Sequence, residues 1–420
     1  MNLLSHTQKW IASTGILMLF WTGHLSQAAQ STYSGGNNRA NLSKGVEGPL
    51  NLGPRAEYGS MQLRGNQEFT FDDNVFLTEF ARLHDWASIT SPGLSYKLGS
   101  MENNYLELGY DVNIRRYMEQ TVSDGEEHLP YMMAQFTFGA TKLTISDNMN
   151  FTKGGGVIIG GNELTVRVPK TTNDANVATE TKLDDKLALG FHVHHNLYDP
   201  GTAPLLFQQQ IDGGFDIYYK AFAKADLYIE GDGGHVDVTR GGRQDYAQAR
   251  VGIRGDLTPK LVGRLDVGGE HRMFSFPGIR DQDTPVLSSS LTYTFNDDFK
   301  ARVNGGLSTE TSISTAGQTY ELSTAGFNLN YQFGPFLTND TKVRKLALTL
   351  DYGYAGSQFN LASGGVVNTT DLHTVTPSFE FRIRPYWLAY LMWRYQNNDS
   401  ILQNGDYFDN RFSVGTSVLF

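Results

Sequence analysis

From Arg243 to Met273 the residues alternate in character with a period of two, which excludes a helix and demands extended strands. In the first arm Tyr246, Gln248, Arg250, Gly252 and Arg254 fall on one face, and Ala247, Ala249, Val251 and Ile253 fall on the other. After a turn at Asp256-Leu257-Thr258-Pro259-Lys260, a second arm sets Arg264, Asp266, Glu270 and Arg272 against Leu261, Leu265 and Val267. Strands of soluble sandwiches run to about 5–6 residues. Each arm here runs to about a dozen, the length that suits a membrane barrel, where roughly 9–11 tilted residues cross the bilayer.

Composition agrees with one large all-β domain rather than several small ones. The chain has 420 residues with 45 Gly, 21 Tyr, 25 Phe and no Cys, and no Pro-rich, Ser-rich or charge-run linker divides it after the first fifty or so positions. Mean hydropathy is -0.35. A helical membrane protein needs apolar runs of about 20 residues, and none occurs beyond the N-terminus, so a bilayer is crossed by strands or not at all. Residues 1–29 read as a secretory signal, with Lys9 in the basic region, an apolar run from Ile11 to Trp21, and a small-residue cleavage site at Ser26-Gln27-Ala28. The mature chain is expected to start near Ala29. Without cysteine it carries neither a thiol-linked lipid there nor disulfides. A net charge of -10 argues against a nucleic-acid partner, which calls for a basic surface.

Residues 30–55, rich in Gly, Asn and Ser with Pro49 and Pro54, read as a flexible periplasmic segment, and the barrel is assigned to 56–420. Alternation predicts strands near 57–71, 86–99, 104–117, 128–139 and 141–152. A long Gly-rich gap follows. Then come 174–184, 186–198, 208–220, 222–235, the pair described above, 284–296, 298–312, 318–333, 342–360, 368–384, 386–399 and 408–420. The count is about 18, with 16 as the alternative, in an antiparallel up-and-down transmembrane β-barrel. Short connections alternate with longer ones, as periplasmic turns alternate with extracellular loops, and an even count returns both termini to the periplasm. Tyr331, Phe333, Phe379, Phe381, Trp387, Trp393 and Tyr395 lie near strand ends, where interfacial girdles in contact with outer-membrane lipid are expected. Phe412, Val414, Thr416, Val418 and terminal Phe420 share one face, and this resembles the C-terminal signal read by the barrel assembly machinery.

The stretch Phe69-Thr70-Phe71-Asp72-Asp73-Asn74-Val75-Phe76, followed by Ser91-Pro92-Gly93-Leu94-Ser95-Tyr96, resembles the N-terminal part of a family of outer-membrane β-barrel porins. Members of that family often accompany exopolysaccharide synthesis and export machinery. The likeness in motif is confined to the first two strands. It implies a pore, a polar saccharide cargo, periplasmic export components as partners, and no catalytic residues. The alternative reading is a general diffusion porin unrelated to polysaccharide, and a third is an outer-membrane barrel enzyme.

A barrel of about 16–18 strands is wide enough to hold water. Residues expected to line the bore are Asp226, Tyr228, Glu230, Tyr246, Arg250, Arg254, Arg264, Asp266, Glu270, Arg272, Lys300 and Arg302, with Tyr218 and Glu310 in the same phase. Their mixed signs suit ladders of ion pairs along the wall or, alternatively, orientation of a cargo, and Tyr218, Tyr228 and Tyr246 read either as flat faces for sugar rings or as filler of the wall. The stretch 152–173 is expected to be the longest external loop, with Val157, Ile158 and Ile159 between Gly154-Gly155-Gly156 and Gly160-Gly161 as a constriction folded into the pore. A mobile surface loop is the other reading. His192 and His194 share a face, but no third metal ligand is evident nearby, and with His195 they read as polar wall or surface residues. There is no G-x-S-x-G motif and no phosphate-loop spacing, so no catalytic residue, metal or cofactor is assigned.

Overall fold

The computed structural model describes residues 59–420 apart from 100–103, 160–161, 202–204, 240–241, 276–277, 316, 334–345, 361–365, 385 and 401–404, with side chains described outside 155–167 and 360–369. The leader 1–29 and the segment 30–55 lie outside the described residues.

The alternating segments form strands β1 (Ser60–Asp72), β2 (Asp85–Gly99), β3 (Tyr105–Tyr117), β4 (Gly125–Phe138), β5 (Thr141–Ile159) and β6 (Asn162–Lys182). They continue as β7 (Leu187–Asp199), β8 (Gln208–Tyr219), β9 (Ala225–Val238), β10 (Gly242–Asp256), β11 (Leu261–Phe274) and β12 (Gln282–Thr294). The last six are β13 (Phe299–Thr311), β14 (Thr319–Phe333), β15 (Leu346–Asn360), β16 (Val366–Arg384), β17 (Trp387–Ser400) and β18 (Tyr407–Leu419). Each pairs antiparallel with the next, and β1 pairs with β18, so the 18 strands close into a ring. Closure removes the two sheet edges, whose unpaired backbone groups would be costly in hydrocarbon.

The two faces differ as the alternation requires. On β11 Leu265 and Val267 are 44 % and 54 % exposed on the outside, whereas Asp266 between them is 1 % exposed on the inside. A closed antiparallel barrel with an apolar outside and a polar inside is a multi-pass membrane structure of the outer-membrane type. Turns at the end that holds both termini are tight. Between β6 and β7 the Asp184 carboxylate accepts bonds from the N–H groups of Lys186 and Leu187 at 2.7 and 2.8 Å, and they hold its carboxyl below the usual range.

One expectation is corrected at the opposite, outer end. The stretch 152–173 is not an irregular loop: β5 and β6 run on through it and pair with each other up to Ile159↔Asn162. Alternation of Thr, Val and Lys sustains the ladder through the glycines, which make irregularities in the register at Thr152/Gly155 and Gly156/Val157. Val157, Ile158 and Ile159 are therefore strand residues near the tip of a long hairpin. The strand expected at 298–312 is present as β13 and pairs with β14 along its whole length, but it parts from β12 at its outer end. Its pairing with β12 stops at Leu287↔Leu307, although β12 starts at Gln282 and β13 runs to Thr311. Beyond that point the β13 hydroxyls of Thr309 and Thr311 meet the inner-face side chains of Thr284, Gln244 and Arg272. The outer end of β13 has thus turned into the bore.

The seam between β1 and β18 is tied by side chains as well as backbone. Thr70 and Ser413 share a hydrogen bond of 2.8 Å, and Arg411 meets Asp72 at 3.0 Å. Just beyond β1, the fully buried Asn74 donates to the carbonyls of Thr78 and Phe408 at 2.9 and 2.8 Å and accepts from the Thr78 N–H at 3.0 Å. Replacing Asn74 with Ala leaves these backbone groups unsatisfied and is expected to cost about 1–3 kcal/mol. The readout is a lower temperature for loss of the compact band in semi-native electrophoresis; an unchanged temperature would show that the clasp is dispensable.

Candidate functional site

The inner face between β6 and β11 carries the densest charge, and its geometry follows from register. Arg250 lies opposite Glu230, and Arg254 lies opposite Asp226, on β10 and β9. Arg254 and Arg264 also face each other across β10 and β11, a like-charge pair that would destabilise the ladder if left alone. Each turns to carboxylates instead. Arg254 reaches Glu180 at 3.0 Å and Asp226 at 3.3 Å, while Arg264 reaches Glu230 and Asp266, both at 2.6 Å. Arg250 adds a contact to Glu230 at 3.3 Å.

Three of these arginines also lie on tyrosine rings. Arg254 sits 3.4 Å from the ring centre of Tyr218, Arg264 sits 4.8 Å from Tyr228, and Arg272 sits 5.2 Å from Tyr246. Two of the rings, Tyr218 beside Gly190 and Tyr228 beside Gly252, lie where the neighbouring strand offers glycine. A Cβ at Gly252 would come within 2.6 Å of the Tyr228 ring. Tyr228 also donates to Asp266 at 2.8 Å. Of the two readings of Tyr218, Tyr228 and Tyr246, the packing favours filler of the wall: these side chains are buried, with guanidinium groups against their rings. Packing within the wall has used the surface that a sugar would need.

His192 and His194 stand on the same inner face, one step along β7, while His195 points outward and meets Gln209 at 3.1 Å. The His192 ring lies between Asp232 at 2.8 Å and Asp216 at 3.5 Å, and the His194 ring lies between Asp174 at 3.0 Å and Asp212 at 3.1 Å. An imidazole satisfies carboxylates on both nitrogens only as the imidazolium, which has two N–H donors. The sequence shows the two histidines in phase; the four aspartates come from β6, β8 and β9 and are brought in by register. Their signal was alternation too, since Asp212, Asp216, Asp226, Glu230 and Asp232 all occupy even positions.

The other proposed lining residues sit apart. Lys300 is exposed near the terminal end of β13, and Arg302 donates to Thr292 at 3.4 Å. The inner face of β12, with Thr284, Val286, Ser288, Ser290 and Thr292, carries no charge and separates them from the β6–β11 group. Glu310 lies on the part of β13 that has left the wall, where it accepts from Ser308 at 2.9 Å.

At the outer mouth an apolar cluster bridges the bore. Buried Ile313 and Phe359 pack with Val168, Tyr198, Leu205 and Tyr320. These come from β6, β7 and the connection to β8 on one side, and from β14, β15 and the β13–β14 turn on the other. β7 and β14 are separated by six strands one way round the ring and ten the other. Their meeting therefore cannot be a neighbour contact within the wall. One backbone bond, from the Leu206 N–H to the Ile313 carbonyl at 2.8 Å, joins the two sides. Sequence reasoning missed this feature because the residues belong to short connections and strand tips far apart in the chain.

Arg272 supports the inturned strand from below. It donates to Glu270 at 2.8 Å, Gln244 at 3.1 Å, the Thr311 hydroxyl at 3.0 Å and the Thr309 carbonyl at 3.1 Å. Arg272→Met would leave the buried Glu270 carboxylate without its partner and is expected to cost about 3–5 kcal/mol. It should also release the 312–318 turn to limited proteolysis in detergent micelles, and a variant as resistant as the parent would refute this role for Arg272.

No family model matches the sequence, and no curated protein matches it. The porin-family resemblance thus remains that of a short motif in the first two strands. Solved structures do align with the barrel. The outer-membrane protein OpdK of Pseudomonas aeruginosa aligns at a TM-score of 0.45 and 10 % identity, over 86 % of this chain and 99 % of that one. OccAB3 of Acinetobacter baumannii gives the same four values. OccK9 (OpdG) of Pseudomonas aeruginosa aligns at a TM-score of 0.46 and 11 % identity, over 87 % of this chain and 99 % of that one.

Proposed function

We propose that this protein is an outer-membrane channel for polar solutes small enough to pass a bridged outer mouth. The observation that carries the reading is the closed 18-stranded ring with charged and hydroxylic side chains inside it. A ring of that size exceeds what its own side chains need for filling, so it encloses water. Solutes diffuse along a wall whose ion pairs are already satisfied, and the apolar bridge limits their size.

Diffusion of small solutes is placed ahead of exopolysaccharide export. The export reading rests on the resemblance of the first two strands, and a polymer would have to displace the contact between Leu206 and Ile313 to thread the mouth. Periplasmic export components are partners only under that second reading. The reading as an outer-membrane protein includes recognition of the last strand by the barrel assembly machinery through Phe420, whose backbone exchanges two hydrogen bonds with Leu63 at 2.8 and 2.9 Å.

The tip of the β5–β6 hairpin, with Val157, Ile158 and Ile159, is proposed to contribute to the constriction. Support comes from Val168 on the same hairpin, which joins the cross-bore cluster. In planar bilayers the protein is expected to give discrete ohmic steps, and deletion of 154–161 is expected to raise their conductance about two-fold, as removal of a pore constriction does. A folded protein that never conducts overturns the channel reading; an unchanged step size after the deletion overturns the role of the tip.

A further inference from the structure

We propose that two copies of this barrel pack side by side in the membrane across a two-fold axis, and that the contact is the lipid-facing side of β5 and β6 around Asp147 and Asn173. The proposal stands on the fold and is independent of what passes the bore.

Asp147 lies on the outward face of β5, in phase with Phe151, which is 40 % exposed, and opposite Met132 on β4 and Ala175 on β6. Met132 is in the middle of β4 and sets its height, with the exposed Phe138 six residues nearer the terminal end. Six residues of a strand tilted by about 40° rise roughly 15 Å, near the middle of an apolar band about 25 Å tall. Other acidic side chains on that face lie toward the outer ends of their strands, as Glu126 does beside Gly125, Asp237 beside Val238 and Asp283 beside Gln282. An ionisable group at mid-height in hydrocarbon is costly and calls for a partner.

Within its own barrel Asp147 has one: its Oδ1 accepts from the amide of Asn173, on the outward face of β6. Neither side chain makes another hydrogen bond or ion pair among the described residues. A carboxylate offers two oxygens and an amide two N–H groups, so each barrel is left with one oxygen and one N–H unmatched. Such a patch is self-complementary, which is what a two-fold contact requires, because both sides present the same surface. With the axis along the membrane normal both copies keep their heights. The two groups already touch within one barrel, so Asn173 of one copy stands level with Asp147 of the other. If the carboxyl carries a proton, its O–H meets the amide oxygen of the other copy's Asn173 and the match persists. A ring of three or more would bring unlike patches together and lose this reciprocity.

The rest of β6 suits a contact of wall against wall. Between Thr171 and Thr181 its other outward positions hold Ala175, Thr179 and, as the one large apolar group, Val177. The neighbouring β7 instead shows Leu187, Leu189, Phe191, Val193 and Leu197 on that side. Small side chains let two surfaces approach closely. The hydroxyls of Thr179 and Thr181 are occupied at home, the first donating to the Phe191 carbonyl at 3.4 Å and the second sharing a bond of 2.9 Å with Thr141. Leu143, Ile145 and Met149 on β5 supply the apolar flank of the patch.

The chain has no cysteine, so a single introduced thiol reports its own surroundings. Ala175→Cys, beside Asp147, is expected to cross-link to its own copy when outer-membrane vesicles are oxidised, and Val303→Cys on the far wall is expected to stay single. In mild detergent, light scattering is expected to give two chains per particle for the parent and one for the double variant Asp147→Leu/Asn173→Leu, with the heat-modifiable band reporting that the variant has folded. Should it fail to fold, the two cysteine variants decide. One or three chains per parent particle, no cross-link at Ala175→Cys, a cross-link as strong at Val303→Cys, or a folded double variant that stays paired overturns the inference.

Discussion

The structure depends on the pairing of its first and last strands. Every other neighbouring pair is local in sequence and forms as a hairpin, but β1 and β18 are brought together only when all the intervening strands have curled in one sense. In hydrocarbon an unpaired N–H or carbonyl has no water to turn to, so an open ring would leave two rows of costly groups. The hydrogen bonds between Leu63 and Phe420 at the terminal end, and the Asp72–Arg411 contact with the Asn74 clasp at the outer end, fix the seam at both extremes. With that seam closed, the distinction between outside and bore exists; without it, the same alternation would describe only a two-sided sheet.

Inside, the wall is built as a flat layer rather than as a brush of side chains. Small residues on one strand let large ones on the next lie down, as Tyr228 does over Gly252. Guanidinium groups then cover the rings and reach carboxylates two or more strands away, as Arg254 reaches from β10 to Glu180 on β6. Such pairing satisfies groups that would otherwise be buried and uncompensated, and it keeps the bore free. It also explains why arginines that look available in the sequence are not bare in the fold.

Much of the architecture was legible in the chain. The strand count, the antiparallel order and most of the tight turns follow from alternation broken by residues such as Asp184-Asp185 and Asn296-Asp297-Asp298. The reading failed where two local signals conflicted. At 154–159 the glycines speak for a loop, whereas the ladder between β5 and β6 continues to Ile159↔Asn162 because each strand supplies the other with backbone partners. The reading was silent on where β13 parts from β12. Nothing in Ser308-Thr309-Glu310-Thr311 shows that these residues leave β12 and enter the bore; the cause is a set of partners, Gln244, Arg272 and Thr284, on three other strands.

By itself the sequence determined the period, the length of the crossing segments and which side of each strand is apolar, because these are properties of consecutive residues and of the pleat. Tertiary structure alone decided which carboxylate meets which cation, that Tyr218, Tyr228 and Tyr246 are covered, and that Leu206 and Ile313 meet across the mouth. The physical reason is that register and ring curvature act over many strands at once. A period-two pattern says which way a side chain points, and closure of the ring sets what stands opposite it.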